Sequence, residues 1–148
     1  TYAEITKSYE AIRLGIDNSL PPELLQNAEN YAKNILEPTR SHFKIPFSPL
    51  SWYRCPPLNT AVKGSKTSDH MLALAGDIEI PSISNLDLAI WQSENLDFNQ
   101  IILENYIEGQ PSSGWVHSSW SINNKKQLLT WNKHLNQYVQ VFTFRGLK

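Results

Sequence analysis

The spacing of apolar residues along the chain predicts two helices in its first two-thirds. From about 21 to 37, apolar residues recur at three- and four-residue intervals, which gives a helix one apolar face, and a Pro-Pro pair suits its first turn. Pro38 is expected to kink or end this helix. A shorter helix is predicted for 85–94, whereas the proline-rich stretch 43–62 predicts short extended pieces and turns.

Alternation of apolar and polar residues predicts the strands. Ile78 and Ile80 alternate with acidic residues, as expected for a strand with one polar face. Two hairpins are predicted, each from two alternating segments joined by a turn-forming loop. The first pairs 98–107 with 115–120, and the second pairs 127–131 with 138–144. The predicted helices precede the predicted hairpins along the chain, which indicates an α+β fold. We expect one domain covering 1–148.

Composition supports a globular domain and argues against nucleic-acid binding. The chain has 148 residues, of which 41% are hydrophobic and 18% are charged, so it is long enough and apolar enough to bury a core. Its formal net charge is −1 and no basic run stands out. A nucleic-acid interface would need clustered Lys and Arg, so no such partner is expected.

Cysteine usage and apolar runs limit the class of protein further. Cys55 is the only cysteine, so no intrachain disulfide forms and a small buried thiol is expected. The first residues show no basic stretch followed by an apolar one, so no signal peptide is visible. No apolar run approaches the ~18 residues of a membrane span, so no membrane insertion is expected.

The candidate chemistry lies in two histidines and an aspartate. His70 and Asp77 are seven residues apart and His117 follows in a predicted strand. Two imidazoles and one carboxylate leave a coordination position free for water, which is typical of catalytic zinc. The predicted hairpin brings Glu104, a candidate proton acceptor, onto the face that bears His117. Spacing of this kind also arises by chance, so on the residues alone a globular structural protein stays open.

Four ordered motifs carry a family resemblance. They are Ser-Trp-Tyr-Arg-Cys-Pro-Pro-Leu-Asn at 51–59, Thr-Ser-Asp-His through Asp-Ile at 67–78, Gln-Ile-Ile-Leu-Glu at 100–104 and Trp-Val-His at 115–117. The chain thereby resembles the M15 zinc peptidases, and within them the phage-associated branch of D-Ala-D-Ala-carboxypeptidase-like enzymes. Segments 15–22, 35–38 and 126–130 are also similar, so the resemblance covers nearly the whole chain.

The resemblance implies a role for each motif residue. It implies Zn²⁺ on the His70, Asp77 and His117 side chains, with Glu104 as general base on the attacking water. Arg54 would act in catalysis and bind the substrate carbonyl or terminal carboxylate, to which a guanidinium is suited. The second substrate-binding residue would be Ser68, through its hydroxyl.

The resemblance also implies a fold and a substrate. The fold would be hedgehog/DD-peptidase-like, with N-terminal helices packed on a small antiparallel sheet. The substrate would be a peptidoglycan stem or cross-bridge peptide containing D-amino acids, cleaved by a monomer. The implied location is the host cytoplasm before release to the cell wall, or the virion. A catalytically idle, zinc-bearing virion or cell-wall-binding module of the same fold is the alternative.

The chain departs from the family pattern in the small residues at 75–76 and at two further positions. Ala73 stands where the family commonly has glycine, and Gly114 stands where some members carry the catalytic acid, three residues before the last histidine. The base must then come from elsewhere, and Glu104 fits better than Asp69 or Glu108. Two further histidines are expected at the surface, and four aromatic residues either wall the cleft or belong to the core. These are His42 and His134, and Trp52, Tyr53, Trp115 and Trp120.

Overall fold

Helices fill the first part of the chain and strands the second in the computed structural model, which describes residues 1–147. The α-helices are α1 (Tyr2–Thr6), α2 (Tyr9–Leu14), α3 (Leu25–Tyr31), α4 (Glu37–Phe43), α5 (Pro56–Ala61) and α6 (Asn85–Asn95). The strands are β1 (Ala75–Ile78), β2 (Gln100–Glu104), β3 (Trp115–Ser119), β4 (Gln127–Asn132) and β5 (Gln137–Gln140). Short 3₁₀ turns occupy Pro22–Leu24, Asp69–Leu72 and Arg145–Leu147.

Of the two outcomes expected at Pro38, a kink or an end, the helix does not end there, because the helical run continues through this residue to Phe43. Between α3 and α4 the chain forms a π-helical segment, Ala32–Leu36, in which the Glu37 N–H reaches the Ala32 carbonyl. Proline lacks an N–H and its ring crowds the carbonyl four residues earlier. The wider π turn accommodates both effects, so the helix is modified rather than ended.

The five strands form one mixed sheet in the order β1-β3-β2-β4-β5. Both predicted hairpins are confirmed, as the antiparallel pairs β2–β3 and β4–β5. The two hairpins join through a parallel pairing of β2 with β4, so the expected sheet is not wholly antiparallel. The expected α+β fold is confirmed.

One face of the sheet packs on the helices, and the fully buried Tyr31 in α3 fixes their position. Its hydroxyl lies 3.3 Å from the Ser118 hydroxyl in β3. A Cβ built on Gly76 in β1 would lie 2.5 Å from the same Tyr31 oxygen, so this contact leaves room for hydrogen only. The opposite face is left free to carry the polar residues of β1, β3 and β2.

Several short elements were not predicted. The first twenty residues contain α1 and α2, and the proline-rich stretch contains α5, which begins with two prolines that are favoured in a first helical turn. Cys55, directly before α5, is buried as expected. Within residues 1–147, no helix combines the length and apolar character that crossing a bilayer requires.

Candidate active site

Three side chains from two strands and a turn converge at one end of the free sheet face. Asp77 in β1 and His117 in β3 are directly opposed partners, and His70 comes from the 3₁₀ turn just before β1. The His70 Nε2 atom lies 3.2 Å from His117 Nδ1 and 3.4 Å from Asp77 Oδ1, and His117 Nδ1 lies 3.3 Å from Asp77 Oδ1. The structure thus brings together the three predicted metal ligands.

The spacing of these three atoms fits a tetrahedral zinc ion. Zinc binds imidazole nitrogen and carboxylate oxygen at about 2.0–2.1 Å, which places ligand atoms of a regular tetrahedron roughly 3.3–3.4 Å apart. The three distances in the structure span 3.2 to 3.4 Å. His70, Asp77 and His117 therefore form a group that could hold a metal ion without rearrangement.

The orientation of His70 is set by its backbone surroundings. Its Nδ1 lies 2.6 Å from the carbonyl oxygen of Trp52, so Nδ1 carries the proton and Nε2 presents a lone pair. The Ser68 hydroxyl oxygen accepts the His70 N–H and caps the turn. At the end of the turn Ala73 adopts a left-handed conformation with φ 60°, which explains why glycine suits this position.

Arg54 contacts the metal-ligand group rather than standing apart from it. Its Nη2 donates to Asp77 Oδ2 at 3.0 Å, and its Nε donates to the Ser51 hydroxyl at 3.2 Å. The Arg54 N–H also donates to the His70 carbonyl, and the Asp77 N–H donates to the Ser51 carbonyl. The segment that carries Arg54 is thus tied to both His70 and Asp77.

Burial and charge keep His70 and Asp77 in the protonation states that a metal requires. Burial lowers the pKa of His70. The neighbouring Asp77 carboxylate offsets this shift only in part, so the imidazole stays neutral. Burial acts to raise the pKa of Asp77, but attraction and hydrogen bonds from His70 and His117 outweigh it and hold the pKa well below its usual range. Metal ligation needs a neutral imidazole and an ionised carboxylate.

Glu104, at the end of β2, is half-buried in the same cleft as the three candidate ligands. Burial raises the pKa of its carboxyl group above the usual value, and a hydrogen bond from Tyr138 opposes this in part. Gly114 adopts φ 68°, and a Cβ there would lie 1.8 Å from the Glu104 carbonyl oxygen. No side chain fits at position 114, so an acid cannot come from there, whereas Glu104 brings a carboxyl group into the cleft from β2.

A family model for Peptidase M15 matches residues 1–119. The chain belongs to the Peptidase M15 family. No curated protein matches the chain. M15 peptidases are zinc-dependent metallopeptidases that act on peptides, and the buried His-Asp-His group of this member is its candidate metal site.

The match to the M15 family ends at Ser119, the last residue of β3. It includes every site residue predicted from the sequence, whereas β4 and β5 lie beyond it. These last two strands nevertheless belong to the same sheet and line the same cleft, which has a volume of about 920 Å³. Sequence reasoning missed Trp131 and Tyr138, which lie on the cleft wall; the hairpin alternation in 127–144 was the only signal for them.

Of the other residues that the sequence indicated for this M15 member, some line the cleft and the rest lie outside it. Trp115 lines the cleft, whereas Trp52 and Tyr53 are buried and Trp120 packs against the core. Asp69 lines the cleft and accepts a hydrogen bond from Asn99. Three residues are exposed and do not line the cleft: Glu108, His42 and His134.

Proposed function

We propose that this peptidase hydrolyses a peptide bond in bacterial peptidoglycan, in a stem or cross-bridge peptide that contains D-amino acids. The observation that carries the proposal is the tetrahedral spacing of 3.2 to 3.4 Å among the His70, Asp77 and His117 ligand atoms, in one cleft with Glu104. These three residues would hold Zn²⁺. A zinc ion held there supplies a Lewis acid, which activates water at neutral pH and polarises the scissile carbonyl.

Glu104 is the proposed general base. Its carboxylate accepts a proton from the attacking water as the water oxygen bonds to the carbonyl carbon. The same carboxyl group then gives that proton to the amine that leaves when the C–N bond breaks. Burial raises its pKa, which strengthens a carboxylate as a proton acceptor near neutral pH.

Arg54 and Ser68 are the proposed substrate-binding residues. Both line the cleft, and the Ser68 hydroxyl, which accepts from His70 through its oxygen, still has its own proton to donate. Lys63 and Lys125 also line the cleft and add positive charge. Free carboxylates of peptidoglycan peptides can pair with these cationic side chains.

Digestion of purified peptidoglycan tests the proposal. The wild-type protein with one equivalent of zinc is expected to release new amino groups, and Glu104→Gln should reduce the rate by roughly 10²–10⁴-fold. Glu108→Gln, the same change at an exposed glutamate outside the cleft lining, is the matched control and should retain full activity. No release by the wild type would leave a zinc-bearing binding module, whereas equal release by wild type and Glu104→Gln would show that Glu104 is not the base. Product masses of the released muropeptides would name the bond.

A further inference from the structure

The side chain that touches Glu104 comes from the last strand, beyond the part of the chain that matches the family. The Tyr138 hydroxyl lies 3.0 Å from Glu104 Oε1 and 2.9 Å from Oε2. A phenol has one proton to donate, so this proton is shared between both carboxylate oxygens. A donor in contact with both oxygens fixes the direction in which the carboxylate points.

The sheet brings these two residues together across the width of three strands. Leu103, which precedes Glu104 in β2, is paired with Thr130 in β4. The next residue in β4, Trp131, is paired with Tyr138 in β5. Side chains on neighbouring strands that share a row point to the same face, so Glu104, Trp131 and Tyr138 all point into the cleft.

Trp131 supports the tyrosine ring from the side. The two ring centroids are 5.0 Å apart and the rings meet edge to face at 72°, a favourable aromatic geometry. Tyr138 is otherwise 46% exposed, so the indole is a main constraint on its ring. The hydroxyl is thereby held at the carboxylate instead of turning to solvent.

We propose that Tyr138 is the positioning residue for the general base Glu104, and that the β4–β5 hairpin is therefore part of the active site. This inference rests on the proposed function. An ionised carboxylate at the end of a strand has several rotamers, and a hydrogen bond to a charged group favours one of them. Each oxygen keeps a further lone pair, so the attacking water can still bind.

Tyr138→Phe tests the inference because it removes only the hydroxyl and keeps the ring against Trp131. The expected result is a loss of kcat of roughly 10-fold with little change in KM, as for one hydrogen bond to a charged group. The acidic limb of the pH profile of kcat/KM should move to higher pH, because the hydrogen bond that favours the charged carboxylate is gone. The other charged groups that act on Glu104 are His117, Asp77 and Arg54, and the variant leaves them in place.

Tyr9→Phe is the matched control, since Tyr9 is 79% exposed on α2 and should show no effect. A second readout uses metal-free protein: a ¹³C NMR titration of the Glu104 carboxyl carbon, assigned with Glu104→Gln. The midpoint should rise in Tyr138→Phe and stay unchanged in Tyr9→Phe. An unchanged midpoint together with an unchanged pH profile would overturn the inference. If the wild type itself released no amino groups, the proposed function would fail, while the titration would still decide whether Tyr138 holds Glu104.

Discussion

Arg54 Nη2 lies 3.0 Å from Asp77 Oδ2, while the other carboxylate oxygen, Oδ1, faces His70 and His117. The two oxygens of one carboxylate are thus divided between a guanidinium and the candidate metal position. Partners behind a ligand of this kind fix its direction and its charge state. The pairing gives Arg54 a structural task beside its proposed contact with substrate.

We predict that Arg54→Ala lowers zinc affinity by roughly 10–100-fold, the usual effect of losing a partner behind a metal ligand. Competition with a chromophoric chelator measures the dissociation constant. Arg13→Ala is the control, because Arg13 pairs with Glu10 on the surface and its side chain is 67% exposed. Unchanged zinc affinity with a raised KM would show that Arg54 acts on the substrate alone.

The metal-free protein is predicted to lose stability as the pH falls below about 6.5. Burial lowers the pKa of His70 from its ordinary value of 6.5. Between 6.5 and that lower value the unfolded chain binds more protons at this site than the folded chain, so acid favours unfolding. Asp77, whose pKa is depressed, adds a similar loss only below its ordinary value of 3.8.

Urea unfolding between pH 8 and pH 5 measures this effect. Each tenfold difference in proton affinity contributes about 1.4 kcal/mol. His70→Gln carries no titrating ring and should show a flatter pH dependence than the wild type. A wild-type free energy of unfolding that rose on acidification across this range would contradict the neutral, buried state of His70.

Gly114 is predicted to tolerate no side chain. Gly114→Ala would place a Cβ 1.8 Å from the Glu104 carbonyl oxygen at φ 68°. We expect a cost of about 1–2 kcal/mol from the backbone conformation, plus roughly 1–3 kcal/mol from the clash. Gly109→Ala is the matched control, since Gly109 has φ 80° but open space around its Cβ position. Chemical unfolding should show Gly114→Ala to be the more destabilising; equal costs would contradict the close approach.

The contact of Gly76 with Tyr31 predicts a non-additive pair of mutations. Gly76→Ala forces a methyl against the buried Tyr31 hydroxyl and should cost roughly 1–3 kcal/mol. In a Tyr31→Phe background the oxygen is absent, so the same change should cost less. A double-mutant cycle of unfolding free energies measures the difference. Strict additivity would show that the two residues do not press on each other.

The sequence and its family resemblance predicted the strands and the candidate ligand residues that the structure brings together, but not the contacts behind them. His117 and Glu104 lie on the two strands of one hairpin. Side chains along a strand alternate between faces with a period of two, so the pattern placed both residues on the same face. Arg54 and Asp77 are 23 residues apart in the chain. Their contact depends on how the segment that carries Arg54 runs beside β1, which no local pattern encodes. The Tyr138–Glu104 contact depends on parallel pairing of β2 with β4, a long-range choice. The helix continues past Pro38 because a π turn just before it accommodates the proline, and no local pattern predicted that turn.

The proposed peptidoglycan peptidase activity depends on zinc held by His70, Asp77 and His117. It is tested most directly by titrating metal-free protein with zinc and measuring the amino groups released from peptidoglycan at each addition. We predict that release rises until one zinc is bound per chain and then stays level, and that His117→Ala shows none. Full release by the metal-free protein, or no release with one zinc bound, would contradict the claim.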